Sequence, residues 1–381
     1  MTQLRIPATY MRGGTSKGVF FRAEDLPADR AARERVLLRV IGSPDRYGKQ
    51  IDGMGAATSS TSKIVIVGPS TRPDCDVDYL FGQVAIDRPV IDWSGNCGNL
   101  TAAVGPFAIT QGLVAAPAEG RATVRIWQAN IGKRIIAEVP MRDSEVLEEG
   151  DFELDGVTFP AAEIRLAFLD PGAAGAMFPT GRVIDRLPVA GVGQVEATLI
   201  DAGLPTVFVD AATLGLTGRE LQPDVNTDRV LLDRAEAIRV AGAVAMGMAE
   251  NAADVVAKNL LHTPKIAFVA PPATYTASSG RAVAAGDIDL LARIISMGAL
   301  HHAMTGTGAV AIAAAASVPG TLVNRIAPPD AEGRIRFGHP SGTLAVGAQA
   351  QRRGDAWVVG KVLMSRSARR LMEGWVRIPE A

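Results

Sequence analysis

Two stretches decide how this chain folds: "GNCGNLTAAVG" (residues 95–105) and "HAMTGTGAVAIAAAA" (residues 302–316). Each is a glycine-rich turn feeding a helix of small residues. Glycines on both sides of Cys97 imply that the backbone turns sharply where the thiol is held. Pro106 predicts an interruption or kink about two turns into the first helix. One such unit in each half suggests internal symmetry, with two related domains. The Gly- and Pro-rich stretch "LDPGAAGAMFPTGRVIDRLP" (169–188) is the candidate boundary between them.

Working outward, short β-branched runs bounded by turn residues predict strands. They are "KIVIVG" from 63, "ATVRIWQ" from 122, "RIIAEV" from 134, "VEATLID" from 195 and "TVFVDA" from 206. The N-terminus also reads as a strand entering a loop. Helices are expected at "RAARERVLLRVIG" from 30, "DRAEAIRVAGAVAMGMA" from 233, "DIDLLARIIS" from 287 and "SARRLMEGWV" from 367, besides the two small-residue helices. Many strands with few helices predict an α+β protein without regular βαβ alternation.

Composition narrows the function. Hydrophobic residues make up 48% and charged residues 21% of the 381, ordinary for a globular protein. The formal net charge of -1, with no basic run, argues against nucleic acid as a partner. The most apolar tract, "GAVAIAAAASV" (308–318), falls short of the ~20 residues that a membrane span needs. Two cysteines, Cys75 and Cys97, and an N-terminus without a signal-like apolar core point to a reducing cytoplasm. Nothing in the sequence supports a disulfide between the two.

Familiar site types are mostly absent. "RGGTSKG" and "GMGAATSSTSK" lack the order of a Walker loop and of a dinucleotide fingerprint. His262, His301, His302 and His339 form no HExxH pair, and there is no CxxC, so no metal site is expected. His301 and His302 would point apart on either a helix or a strand. "GHPSG" from 338 places its serine one residue too late for a hydrolase elbow. The glycine-rich loops instead offer backbone N–H and hydroxyl donors suited to carboxylates. Cys97 precedes a helix, whose partial positive charge favours a thiolate. Lys63 opens an apolar strand. Desolvation there would lower its pKa and make it a base, provided the strand end is enclosed.

Six motifs together resemble one family. "IPATYMRGGTSKGVFF" (6–21), "DGMGAATSSTSK" (52–63), "DWSGNCGNLTAAVG" (92–105), "RIWQANIGK" (125–133), "LHHAMTGTGAVA" (300–311) and "RFGHPSGTL" (336–344) resemble the 2-methylaconitate cis-trans isomerase family, PrpF. The resemblance implies a fold similar to diaminopimelate epimerase. Two pseudo-symmetric α+β domains each wrap a barrel-like sheet around a central helix, with the active site in the cleft between them. On this chain that implies domains at 1–185 and 186–365, with 366–381 packing back on the first. It implies a cofactor-independent isomerase of propionate catabolism, acting on an unsaturated tricarboxylate supplied by an aconitase-like 2-methylcitrate dehydratase. A homodimer is compatible with it. Sister activities are 4-oxalomesaconate tautomerase and methylitaconate delta-isomerase. An accessory protein for the iron–sulfur dehydratase is the reading of another class, and a lone cysteine without ligand spacing argues against it.

Carried over by motif, Lys63 is the base and Cys97 its partner. Asn96, Gly98 and Asn99 surround the thiol. Thr305, Gly306 and Thr307 form the matching turn, with Thr305 where the epimerases place a second cysteine. A neutral threonine cannot be a second base, so inversion of a stereocentre is not expected. Thr15, Ser16 and Lys17 are expected to hold one carboxylate, and Ser341 with Gly342 another.

Overall fold

The computed structural model describes residues 3–172 and 177–379, so residues 173–176 of the expected boundary stretch lie outside the described residues. The backbone divides into two compact units, residues 1–166 with 365–381, and residues 167–364.

In the first unit, β1 (Gln3–Gly13) and β2 (Ser16–Arg22) form a hairpin, followed by helix α1 (Arg30–Ile41). β3 (Lys63–Pro69) then joins β2 in parallel, and β4 (Val77–Val84) returns antiparallel to β3. The short β5 (Ile91–Asp92) leads to α2 (Thr101–Thr110), and β6 (Gly120–Gln128) and β7 (Lys133–Arg142) follow in the same sheet. Eight of the ten α2 residues, Thr101 to Ala108, are buried. A helix apolar on all sides belongs inside a sheet and not on it. Its small residues allow close approach: a Cβ on Gly105 would sit 2.7 Å from Val139 Cγ2. The helix runs through Pro106 to Thr110 without interruption, because packing on every side compensates for one missing backbone bond.

The second unit repeats the order. β8 (Gly193–Ala202) and β9 (Leu204–Asp210) form a hairpin, followed by α3 (Arg229–Ala245). β10 (Lys265–Ala270) runs parallel to β9, and β11 (Leu290–Ser296) antiparallel to β10. The short β12 (Ala299–Leu300), the fully buried α4 (Gly306–Ala316), β13 (Arg334–His339) and β14 (Gly342–Arg353) follow. Even an ion pair recurs. Asp76, just before β4, binds the backbone N–H of Arg125 at 2.7 Å and its guanidinium at 2.6 Å. Asp289, just before β11, binds Arg336 in the same way at 2.7 and 2.8 Å.

Two expected helices are strands. "DIDLLARIIS" contains β11, whose seven residues are all buried. A short run buried on both faces has no periodicity to separate helix from strand. All of "SARRLMEGWV" after Ser367 lies in a strand, Ala368–Pro379, paired with β1 from Gln3↔Pro379 to Gly13↔Ala368. Its partner stands more than 350 positions away, so tertiary pairing overrides helix propensity there.

Candidate active site

Helical hydrogen bonding in the first unit begins at the thiol-bearing residue itself. Thr101 N–H donates to Cys97 O at 2.9 Å, and the Thr101 hydroxyl donates to the same oxygen at 3.0 Å. Tyr79 on β4 adds a third donor at 3.3 Å. Three donors on one carbonyl fix the backbone of Cys97. Both cysteines are unlinked.

Lys63, the first residue of β3, is 5% exposed and Cys97 is 7% exposed. The two interact electrostatically, and the Lys63 Nζ donates to Gln83 Oε1 at 2.6 Å. Register makes the second contact inevitable, because Lys63 and Gln83 are direct partners across β3 and β4. Gln83 is locked in turn by its amide donating to Ser62 O at 3.1 Å. Burial pushes the Lys63 ammonium below the ordinary lysine range, while Cys97 pulls it back up. The strand end is therefore enclosed, the condition that a lysine base requires.

A second buried cation reaches the same turn. Arg366 is 2% exposed and donates from Nε to Asn99 Oδ1 at 3.1 Å and from Nη1 to Ser365 O at 3.0 Å. Burial lowers its guanidinium to about 9, and the neighbouring Cys97 acts the other way. Asn99 passes the tether on, donating to Thr15 Oγ1 at 3.0 Å. The first unit thus brings together Lys63, Cys97, Asn99 and Thr15 from the sequence-derived set. Ser16 is buried at the start of β2, and the Lys17 ammonium lies 5.4 Å above the Tyr10 ring. Asn96 is buried. The first motif's glycines serve packing. A Cβ on Gly13 would sit 2.7 Å from Asn99 O, and one on Gly18 would sit 2.8 Å from Lys63 O.

In the second unit, the Thr305 hydroxyl accepts from Gly308 N–H at 3.1 Å and caps α4, with Gly306 and Thr307 buried in its first turn. Ser341 donates to His302 O at 2.6 Å, tying the start of β14 to the loop before α4. Gly342 has φ of 143°, a region that favours glycine. His301 and His302 occupy neither helix nor strand, and their rings stack at 4.6 Å instead of pointing apart. Burial lowers the His302 imidazole below its usual range. Among the described residues no cluster of three His, Cys, Asp or Glu side chains forms a metal site, and no helix is long and apolar enough to cross a membrane.

Gln83, Arg366 and Tyr79 escape sequence reasoning. Gln83 carries one usable signal, a polar residue inside the apolar strand "YLFGQV". Its role predicts an outcome: in Gln83→Leu the ammonium of Lys63 loses an acceptor worth about 1.5–3 kcal/mol. The pKa of Lys63 then falls further. The rise of activity with pH should move down by about one to two units. A pH–rate profile measured at saturating substrate checks this, and an unchanged limb contradicts it.

The fold is that of isomerases of the proline racemase and diaminopimelate epimerase type. A hydroxyproline epimerase from Agrobacterium vitis superposes with a TM-score of 0.58 at 11% identity, covering 99% of this chain and 93% of the other. That likeness shows the fold alone. A crystal structure of methylitaconate-delta-isomerase superposes with a TM-score of 0.77 at 39% identity, covering 99% and 96% of the two chains. The 2-methyl-aconitate isomerase of Cupriavidus necator is 62% identical, over 99% of this chain and 98% of its own. The profile of the family described as PrpF protein matches residues 3–379. The chain belongs to the PrpF family and is an isomerase.

Proposed function

We propose that the enzyme interconverts trans- and cis-2-methylaconitate by moving a proton. The observation that carries this reading is the enclosed pair of Lys63 and Cys97, with the Lys63 amine held by Gln83. The 62% identity to a 2-methyl-aconitate isomerase, against 39% to the methylitaconate-delta-isomerase structure, supports this substrate over its sister.

Rotation about the C2–C3 double bond requires its bond order to fall. Lys63 takes a proton from the C2 methyl or the C4 methylene, and the C–H electron pair passes into a dienolate conjugated with a carboxylate. C2–C3 then has single-bond character and turns. The proton returns from Lys63, the double bond re-forms, and no electrons are gained or lost. The substrate's own carboxylate is the electron sink. The positive end of the α2 dipole and the buried Arg366 supply positive potential for the added charge. Thr15, Ser16, Lys17, Asn96, Gly98, Asn99, Thr305, Gly306, Thr307, Ser341 and Gly342 are the proposed carboxylate-binding groups. The proposal includes two pseudo-symmetric epimerase-like domains, which the repeated order of elements supports. It also includes an aconitase-like dehydratase as the source of substrate in propionate catabolism. The two free thiols favour a cytoplasmic setting.

Turnover of 2-methylaconitate, 4-oxalomesaconate and methylitaconate, each followed separately, tests the assignment. The expected result is a kcat/KM for 2-methylaconitate at least a hundredfold above the others. A higher value for either sister acid overturns it.

A further inference from the structure

Of the motif "DGMGAATSSTSK" (52–63), the mechanism uses Lys63 alone. The loop is organised by a residue just before it. Gln50 is 1% exposed and has φ of 52°, a left-handed backbone that a glutamine seldom adopts. Its Oε1 accepts from the Ser62 hydroxyl at 2.7 Å and from Ala57 N–H at 2.8 Å, and its Nε2 donates to Ser43 Oγ at 2.9 Å. Gly55 clears the space, since a Cβ there would sit 2.3 Å from Gln50 Oε1.

Ser62 carries this order to the amine. It is fully buried, directly precedes Lys63, and engages both its hydroxyl and its carbonyl. The hydroxyl binds Gln50, while the carbonyl accepts the Gln83 amide at 3.1 Å and Val84 N–H at 3.0 Å. With its nitrogen tied to Ser62, the Gln83 amide presents its oxygen to Lys63 at 2.6 Å. Cys97 and the Phe81 ring, 4.9 Å from Nζ, also face that amine. The second unit starts its matching strand by another device. Pro264 precedes Lys265, and Arg239 of α3 donates to the Thr263 and Pro264 carbonyls at 3.3 and 3.4 Å. The Gln50–Ser62 pair thus accompanies the lysine beside Cys97, and the fold itself does not require it. We propose that Gln50 is a positioning residue for the general base: through Ser62 it fixes Gln83, and Gln83 fixes the Lys63 amine. The proposal rests on the reading of Lys63 as that base.

The test labels lysine with carbon-13 at Cε and follows Lys63 through a pH titration by NMR, its resonance identified by loss in Lys63→Met. In Gln50→Met the titration midpoint is expected to fall by about half to one unit, because a loosened Gln83 is a weaker acceptor. With 2-methylaconitate, kcat on the high-pH plateau should fall about tenfold while KM stays within about twofold, since the amine is displaced and the carboxylate contacts are not. In a Gln83→Leu background, Gln50→Met should move the midpoint no further, because the two act in series. Ser62→Ala, which removes only the hydroxyl, should give the same shift and takes the place of Gln50→Met if that chain fails to fold. A folded variant of either kind with the parent's midpoint overturns the proposal, as does a shift that persists at full size without Gln83. Full activity in Lys63→Met would instead overturn the base reading, and the midpoint would still report what Gln50 does to the amine.

Discussion

Lys63→Met is expected to lower kcat by roughly 10⁴, the upper range for loss of a positioned general base, and to end solvent exchange. Methionine matches the length of the lysine stem and packs in the same apolar surroundings, so the substitution removes the amine with little change in shape. It also removes a desolvated charge, so thermal stability should hold or rise. Cys97→Ala is the informative contrast. It removes the partner but leaves the base, and measurable exchange should persist. The parent's activity should rise with pH as Lys63 loses its proton. Because burial lowers that pKa, the plateau should arrive below the pH at which an exposed lysine titrates. Full activity in Lys63→Met would remove the base from the account.

Arg366→Met should lower kcat by about a hundredfold, through two losses. Asn99 loses its donor from Arg366 at 3.1 Å, so the turn after Cys97 loses the tether that runs on to Thr15. The dienolate also loses a buried positive charge, and such electrostatic terms are worth about 2.7–4 kcal/mol when one preorganised donor is removed. Arg366→Lys restores charge without the fork and should recover only a small part. Stability should change little, since the lost hydrogen bonds are offset by relief of desolvation. A variant that melts early but turns over normally would assign Arg366 to folding alone.

The fold was readable where local pattern and burial agree. Lys63–Pro69 and Gly120–Gln128 are strands because β-branched runs between turn residues have little alternative. The two small-residue helices are central because their composition suits burial on every side. Pattern failed at Leu290–Ser296, where burial on both faces erases periodicity, and at Ala368–Pro379, where a partner at the other end of the chain decides the conformation.

The site divides the same way. Lys63 and Cys97 were found through motifs, since 34 positions separate them and spacing alone cannot join them. Gln83 needed the register between β3 and β4. Arg366 sits in an arginine-rich segment, "SRSARR", where nothing local separates the buried arginine from the exposed Arg369 and half-buried Arg370. In "MRGGTSKG", whose Thr15, Ser16 and Lys17 are read as carboxylate donors, Gly13 and Gly18 let two backbones approach Asn99 and Lys63.

The most direct test of the account follows the parent enzyme with 2-methylaconitate in deuterated water by proton NMR. A proton taken by Lys63 joins two deuterons on the ammonium, so about two returns in three should deliver deuterium if the group rotates freely. Over many turnovers the methyl or the methylene signal should fade as the cis and trans isomers equilibrate, and in Lys63→Met both processes should stop. Isomerisation to equilibrium with every carbon-bound proton retained would contradict proton abstraction as the means by which the double bond turns.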